Sequence, residues 1–358
     1  MLQYIVRRIF LSIPVLLGIL LVTFAIARLI PGDPCRAILG EKATDAVCDR
    51  FIREKGLDKP IHIQFGIYVG EMARGDFGQS IRYSMPVTRM LAERLPMTIE
   101  LSFSALLVSM IIGIPLGIIS AVKHNSWVDV VTMVWANVGV SMPVFWLGLM
   151  LAYVFSLLLK DTPFWLPPSG RVSPGIPNDP FYEVWGIAAP EEGFGMLMHF
   201  LGRLNILNSL LTANWELLKD SIVHLILPSF ALSTIPMALI ARMARSSMLE
   251  VLGQDYIRTA RAKGLTQRIV ILKHAFRNSL LPIVTVIGLS LGSLLGGAVL
   301  TETVFGLSGV GRALYDAITA RDYGIVQAFT VVIAVFFVIL NLLVDISYAY
   351  LDPRIRLE

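Results

Sequence analysis

The sequence predicts an all-α polytopic membrane protein with six transmembrane helices and both termini in the cytoplasm. Three observations carry this. Hydrophobic residues make up 55% of the chain and charged residues only 16%. Several apolar runs reach the length, about 20 residues, that a helix needs to cross a bilayer core. The most basic stretch lies between two such runs. From Arg242 to Asn278 it carries Arg242, Arg245, Arg258, Arg261, Lys263, Arg268, Lys273 and Arg277 against only Glu250 and Asp255. Loops of that charge stay in the cytoplasm, so the net charge of +4 reads as this bias and not as a nucleic-acid footprint.

A chain of 358 residues has the length of two soluble domains, which the composition excludes. No stretch reads GxxxxGK[ST] or HExxH, so the chain has no apparent means to hydrolyse ATP by itself. It is expected to be non-catalytic, with no cofactor of its own. Its two cysteines, Cys35 and Cys48, lack partners at metal-ligand spacing, and no metal site is expected.

Residues 1–30 read as a cytoplasmic end and a first span. Ile9 to Ala27 is apolar, too long for a signal-peptide core and followed by Arg28, so the span is expected to be uncleaved. Residues 31–98 form a polar extracytoplasmic loop with an amphipathic piece, Ile61 to Met72, and a Gly75–Gly78 turn. Cys35 and Cys48 share this loop, where oxidation is permitted, so they are either a disulfide pair or two free thiols.

The spans that follow lie near 101–122, 131–159, 222–240, 280–300 and 328–349, within a unit covering 96–350. In the second, Gly113 and Gly117 put small residues four apart, as close helix packing requires. The third is long enough to be tilted. Its Ser141-Met142-Pro143 is either a plain proline kink or a bend lining a path. The outer loop 160–221 contains Phe194 to Leu211, read as an interfacial helix, because another crossing would place the basic stretch outside. Pro228 and Pro236 interrupt the fourth span, where Ser229 and Ser233 share one face and serve either helix packing or a polar cavity.

The fifth span carries a Gly288/Gly292/Gly296 stripe, for packing within the chain or against a second one. The outer loop 301–325 predicts a short helix at Arg312 to Ala320, either a passive cap or part of a gate. In the sixth span Asp345 lies near the cytoplasmic end, which favours an Arg partner over substrate.

The basic loop, 244–279, predicts a short helix, a stop and a second helix. Asp255 is read as the N-cap of Tyr256 to Lys263. Gly264 stands where a left-handed residue ends that helix. Thr266 caps the next helix, which should weaken before Pro282.

These residues resemble the EAA loop of bacterial ABC importer permeases. The general pattern is Glu-Ala-Ala, three residues, Gly, nine residues, Ile, one residue, Leu-Pro. Ala260, Gly264, Leu281 and Pro282 match it, while Arg258 and Thr259 replace Glu and the first Ala. The gap from Gly264 to Leu281 is five residues longer. Both departures resemble the peptide-importer branch, as do LIPGDP, GLDKP, GDFGQS, GIPLG, SMPVFWLG, ETVFxxxGxGR and the tail DPRIR. The likeness thus covers nearly the whole chain and is closest to the dipeptide-permease B-type subunit.

The resemblance implies the type I ABC importer transmembrane fold in the bacterial cytoplasmic membrane. It implies that Asp255, Tyr256, Ile257, Arg258, Thr259, Ala260, Arg261, Ala262, Lys263 and Gly264 form the ATPase-docking loop. The expected partners are a second homologous permease, two ATP-binding subunits that hold ATP and Mg, an extracytoplasmic solute-binding protein and the lipid bilayer, with no nucleic acid. The expected cargo is di- and oligopeptides, with nickel, glutathione or a sugar as alternatives. A secondary transporter or an intramembrane enzyme are the rival classes.

Overall fold

In the computed structural model the described residues are 2–29, 43–54, 56–80, 82–188, 193–320 and 322–351. Among them the regular structure is helical, apart from one isolated bridge between Gln79 and Pro86. Helix α1 is Leu2–Leu29, α2 Asp45–Glu54, α3 Ile61–Ala73, α4 Val87–Val122 and α5 Trp127–Ser141. Then come α6, Val144–Ala152, and a π-helical turn, Tyr153–Leu158. Three short helices follow: α7 Phe181–Val184, α8 Phe194–Gly202 and α9 Asn205–Leu211. The long α10, Trp215–Leu252, leads into α11, Asp255–Ala262. Next are α12, Gln267–Ile269, a π-helical stretch Val270–Phe276, and α13, Arg277–Gly297. The chain closes with α14 Val299–Val304, α15 Val310–Thr319 and α16 Tyr323–Leu351.

Five helices are long and apolar enough to cross a membrane, and the α5–α6 pair makes six if it counts as one bent span. The third span is therefore not the continuous tilted helix expected over 131–159. It breaks by 98° between Ser141 and Val144. Pro143 is the cause. It pushes Met142 into extended backbone, φ −96° and ψ 134°, because its ring clashes with a preceding α-helical residue. By contrast, Pro228 and Pro236 do not interrupt the fourth span, and Pro282 does not weaken the fifth. Both α10 prolines are buried among neighbouring helices, a setting in which proline is tolerated inside a span.

The helices also outrun their apolar cores. Helix α4 begins at Val87 instead of near 101 because its first turns are buried. Val87, Met90, Leu91 and Leu95 pack with Ile325, Ala328 and Phe329 at the start of α16.

Side-chain pairings give the relative directions. Ser109 Oγ donates to Ser233 O at 3.0 Å. A Cβ on Gly113 would lie 2.8 Å from Met237 O, and one on Gly117 2.5 Å from Ala241 O. Both numbers rise together along the pair, so α4 and α10 run parallel, backbone against backbone. A Cβ on Gly139 would lie 2.8 Å from Thr234 Cβ, and Asp129 meets Arg245, so α5 runs antiparallel to α10. Gly288 faces Val344 and Gly292 faces Phe337, so the glycine stripe serves packing of α13 on α16 within the chain. Gly296 meets nothing within 4 Å.

Arg8 pairs with Asp345 at 3.1 Å, and Gln327 Nε2 donates to Thr23 O at 3.2 Å, setting α1 antiparallel to α16. Asp345 thus has the Arg partner its position suggested. Near the far end of α1, Phe24 stacks edge-on against Phe65, with centroids 5.4 Å apart.

Cys48 is buried on α2. Its proposed partner Cys35 lies outside the described residues, as do most of LIPGDP and the tail DPRIR. A Cys35–Cys48 bond would contribute roughly 3 kcal/mol through restricted chain entropy. The expected result on alkylating the unreduced protein is an intact mass with no added label. Two alkylated thiols would show there is no bond.

Candidate functional site

Helix α11 is a polar knob between α10 and the α12–α13 span. It turns one apolar edge inward. Ile257 and Ala260 are buried against Ala121 at the end of α4, Met248 of α10, and Val270 and Ala275 of the π-helical stretch. The spacing of Ile257 and Ala260, three apart, puts them on one helix face. Around the rest of the helix and its C-cap, Arg258, Arg261 and Lys263 are exposed to solvent. Partial burial raises the Tyr256 phenol above its ordinary range.

The helix ends in a complete Schellman motif. Lys263 is the C-cap, and Gly264 follows at φ +76°. Gly264 N–H donates to Arg261 O at 3.0 Å, and Leu265 N–H to Ala260 O at 3.4 Å. These bonds satisfy two of the orphan carbonyls that any helix end leaves. The start differs from expectation. Gln254, not Asp255, is the N-cap, and it makes no side-chain capping bond. Asp255 sits inside the first turn, where its charge suits the helix dipole, and meets Arg258 at 3.3 Å on the exposed face. Thr266 does occupy the next N-cap, also without a side-chain bond.

The four expected path-lining residues fall in two settings. Ser141 and Met142 lie at the open bend, with Ser141 exposed, and with Val134 and Asn137 they border a groove of about 460 Å³. Ser229 and Ser233 are buried in the packing of α10, where Ser233 Oγ donates to Phe230 O at 2.7 Å.

At the other end of the bundle the ETVFxxxGxGR segment builds a buried cap. Thr98 Oγ1 donates to Glu302 Oε1 at 2.7 Å and accepts from Val310 N–H at 2.8 Å. Glu302 Oε2 accepts from Arg312 N–H at 2.9 Å, and Gly311 N–H also bonds this carboxylate. Three orphan donors of α15 are thereby satisfied. Burial pushes the Glu302 carboxyl up, against the downward pull of Arg312 N–H and the Thr98 hydroxyl. Gly309 is required because a Cβ there would overlap the Glu302 carboxylate. The GDFGQS turn is tied to the same end. Asp322 Oδ2 accepts from Ser80 Oγ at 2.6 Å and from Arg82 N–H at 3.1 Å.

Two ion pairs are not legible in the sequence. Glu100 of α4 meets Arg171 at 2.6 Å and accepts from Ile206 N–H at 2.8 Å, pinning Arg171 and the start of α9 to the bundle. Asp129 of α5 meets Arg245 of α10 at 2.8 Å. The available signal was a carboxylate inside or bordering an apolar run, which is costly without a partner.

The chain's residues 113–357 match the family described as binding-protein-dependent transport system inner membrane component, and residues 1–102 match the N-terminal part of such proteins. It is 46% identical over 356 residues to the dipeptide transport system permease protein DppB of Alkalihalophilus pseudofirmus, covering 99% of this chain and 100% of that one. Identity to the dipeptide transport system permease protein DppB of Escherichia coli K12 is 44% over 360 residues, covering 99% of each chain. The oligopeptide transport system permease protein AppB of Bacillus subtilis 168 is 38% identical over 358 residues, covering 99% of this chain and 100% of that one.

Proposed function

Because the chain belongs to the family of binding-protein-dependent transport system inner membrane components, we propose that it is the permease subunit through which an ABC importer moves di- and oligopeptides into a bacterial cell. It is a multi-pass protein of the bacterial inner membrane. The peptide cargo rests on full-length likeness to permeases named for dipeptides and oligopeptides. Nickel, glutathione and sugars have no such support.

The single observation behind the coupling mechanism is α11, a short basic helix seated against the ends of α4 and α10. We assign it as the docking site for an ATPase subunit, one of two separate subunits that bind ATP and Mg. Residues Asp255 to Gly264 form this docking loop. One such helix per chain makes the protein half of a pore that a second, related permease completes, with an extracytoplasmic binding protein delivering cargo. ATP-driven closure of the ATPases then moves α11, and Ile257 and Ala260 carry the motion into α4 and α10. The chain's part is to bind partners and rearrange, not to catalyse bond chemistry.

Two experiments follow. With its partners in proteoliposomes, the protein should accumulate a labelled dipeptide in an ATP-dependent manner. Accumulation of nickel, glutathione or a sugar without peptide would overturn the cargo. This reading also puts α11 in the cytoplasm, with 31–98, 160–221 and 301–325 outside. A single cysteine replacing Gln267 should resist an impermeant thiol reagent added to intact cells. Labelling there would invert the topology.

A further inference from the structure

The geometry points to Asp129–Arg245 as a positioning pair that couples the broken third span to the ATPase-docking module. The inference rests on the reading of α11 as the docking helix. Asp129 lies in the first turn of α5 and is buried. Arg245 grips its carboxylate with both arms of the guanidinium. Nε donates to Oδ1 at 2.8 Å and one terminal nitrogen to Oδ2 at 2.8 Å. Ser120, at the end of α4, donates its hydroxyl to Asp129 Oδ1, and Asn125 N–H donates to Oδ2 at 3.1 Å. One carboxylate therefore joins three elements: the end of α4, the start of α5 and the last turns of α10.

That place in the fold matters. Arg245 sits three residues before Met248, whose buried side chain packs with Ile257 and Ala260 of α11. Ala121, next to Ser120, packs in the same cluster. The pair is thus anchored on both sides to the seat of α11. Its other end is α5, a half-helix that stops at the 98° break before Val144. The break uncouples the direction of α5 from that of α6, so what holds the start of α5 helps set its tilt. Between Asp129 and the bend, α5 approaches α10 closely at Gly139 against Thr234, but that contact is apolar and can slide. The bidentate ion pair is directional and cannot slide without losing a hydrogen bond from a fixed fork. A displacement of the α11 seat is therefore handed to α5, and with it to the groove beside Asn137 and Ser141.

The test uses the whole importer. Asp129→Asn keeps the side-chain shape and a Ser120 contact but removes the charge that holds Arg245. Arg245→Lys keeps the charge and removes the fork. In matched proteoliposomes, both variants should retain ATPase co-purification and at least half of the basal ATP hydrolysis, while peptide uptake per ATP falls on the order of tenfold. Arg245→Lys should fall less than Asp129→Asn. The double variant Asp129→Asn/Arg245→Met should be no worse than Asp129→Asn alone, since both changes break one link. Unchanged uptake per ATP in Asp129→Asn would overturn the proposal, as would uptake and hydrolysis falling in equal proportion. Loss of co-purification would mean the pair serves assembly, which also overturns it. The docking role of α11 fails on a different result, namely that exposed α11 variants such as Arg258→Glu leave ATPase association intact.

Discussion

Replacing Gly264 by valine should abolish most peptide uptake while leaving the protein inserted in the membrane. Gly264 holds φ +76°, and a Cβ there would meet nothing within 4 Å. The penalty is therefore purely conformational. A left-handed residue with a side chain costs roughly 1–2 kcal/mol, and a β-branched one is a genuine outlier there. The chain escapes by unwinding the end of α11, which breaks the bonds from Gly264 and Leu265 to Arg261 and Ala260. Ala260 is one of the two buried contacts that seat the helix, so the knob loses its fixed pose. None of the long helices depends on this turn. The measurement is uptake together with ATPase co-purification at matched membrane levels. Gly264→Asn should be milder, because asparagine tolerates left-handed backbone. A valine variant that transports like the parent would remove the turn from the mechanism.

Gly117→Val should fail in the opposite way, with little protein reaching the membrane in folded form. A Cβ at 117 would lie 2.5 Å from Ala241 O and 2.6 Å from Ala244 Cβ. Backbone cannot yield as a flexible side chain does, so α4 and α10 must separate. Overpacking a close contact costs about 1–3 kcal/mol, and the separation also strips apolar contacts from the buried cluster that α4 and α10 share. Ser109 would lose its bond to Ser233 O as well. The check is the detergent-extracted melting temperature and the monodisperse yield. Gly296→Val is the control. Its Cβ meets nothing within 4 Å, so it should leave both unchanged. Normal yield and melting for Gly117→Val would mean the helix contact does not hold the bundle together.

Gly264 and Gly117 also differ in how far the sequence alone reveals them. The apolar spans and the stop at Gly264 were legible because they depend on local composition and local backbone geometry. The Gly113/Gly117 pair was legible as close packing, though not its partner, since spacing says nothing about which helix approaches. The break at Met142 was visible as a proline but not as a 98° bend. A residue before proline is pushed out of the helix, yet Leu227 before Pro228 stays helical because α10 is buried there. Asp255 has the chemistry of an N-cap, but Gln254, a weaker capping type, takes that position one residue earlier. The Asp129–Arg245 and Glu302–Thr98 links join residues 116 and 204 positions apart. No local pattern announces them. Only the cost of a lone carboxylate in an apolar setting hinted that partners had to exist.

If ATP-driven motion enters this chain at α11, site-specific cross-linking at that helix should register it. Arg258 is exposed on the outer face of α11, with 76% of its side chain accessible. A single cysteine in place of Arg258, carrying a short bifunctional reagent, should give a cross-link to an ATPase subunit in the assembled importer, and its yield should change when ATP is bound. An active importer in which this position never cross-links to an ATPase subunit would rule out α11 as the docking site.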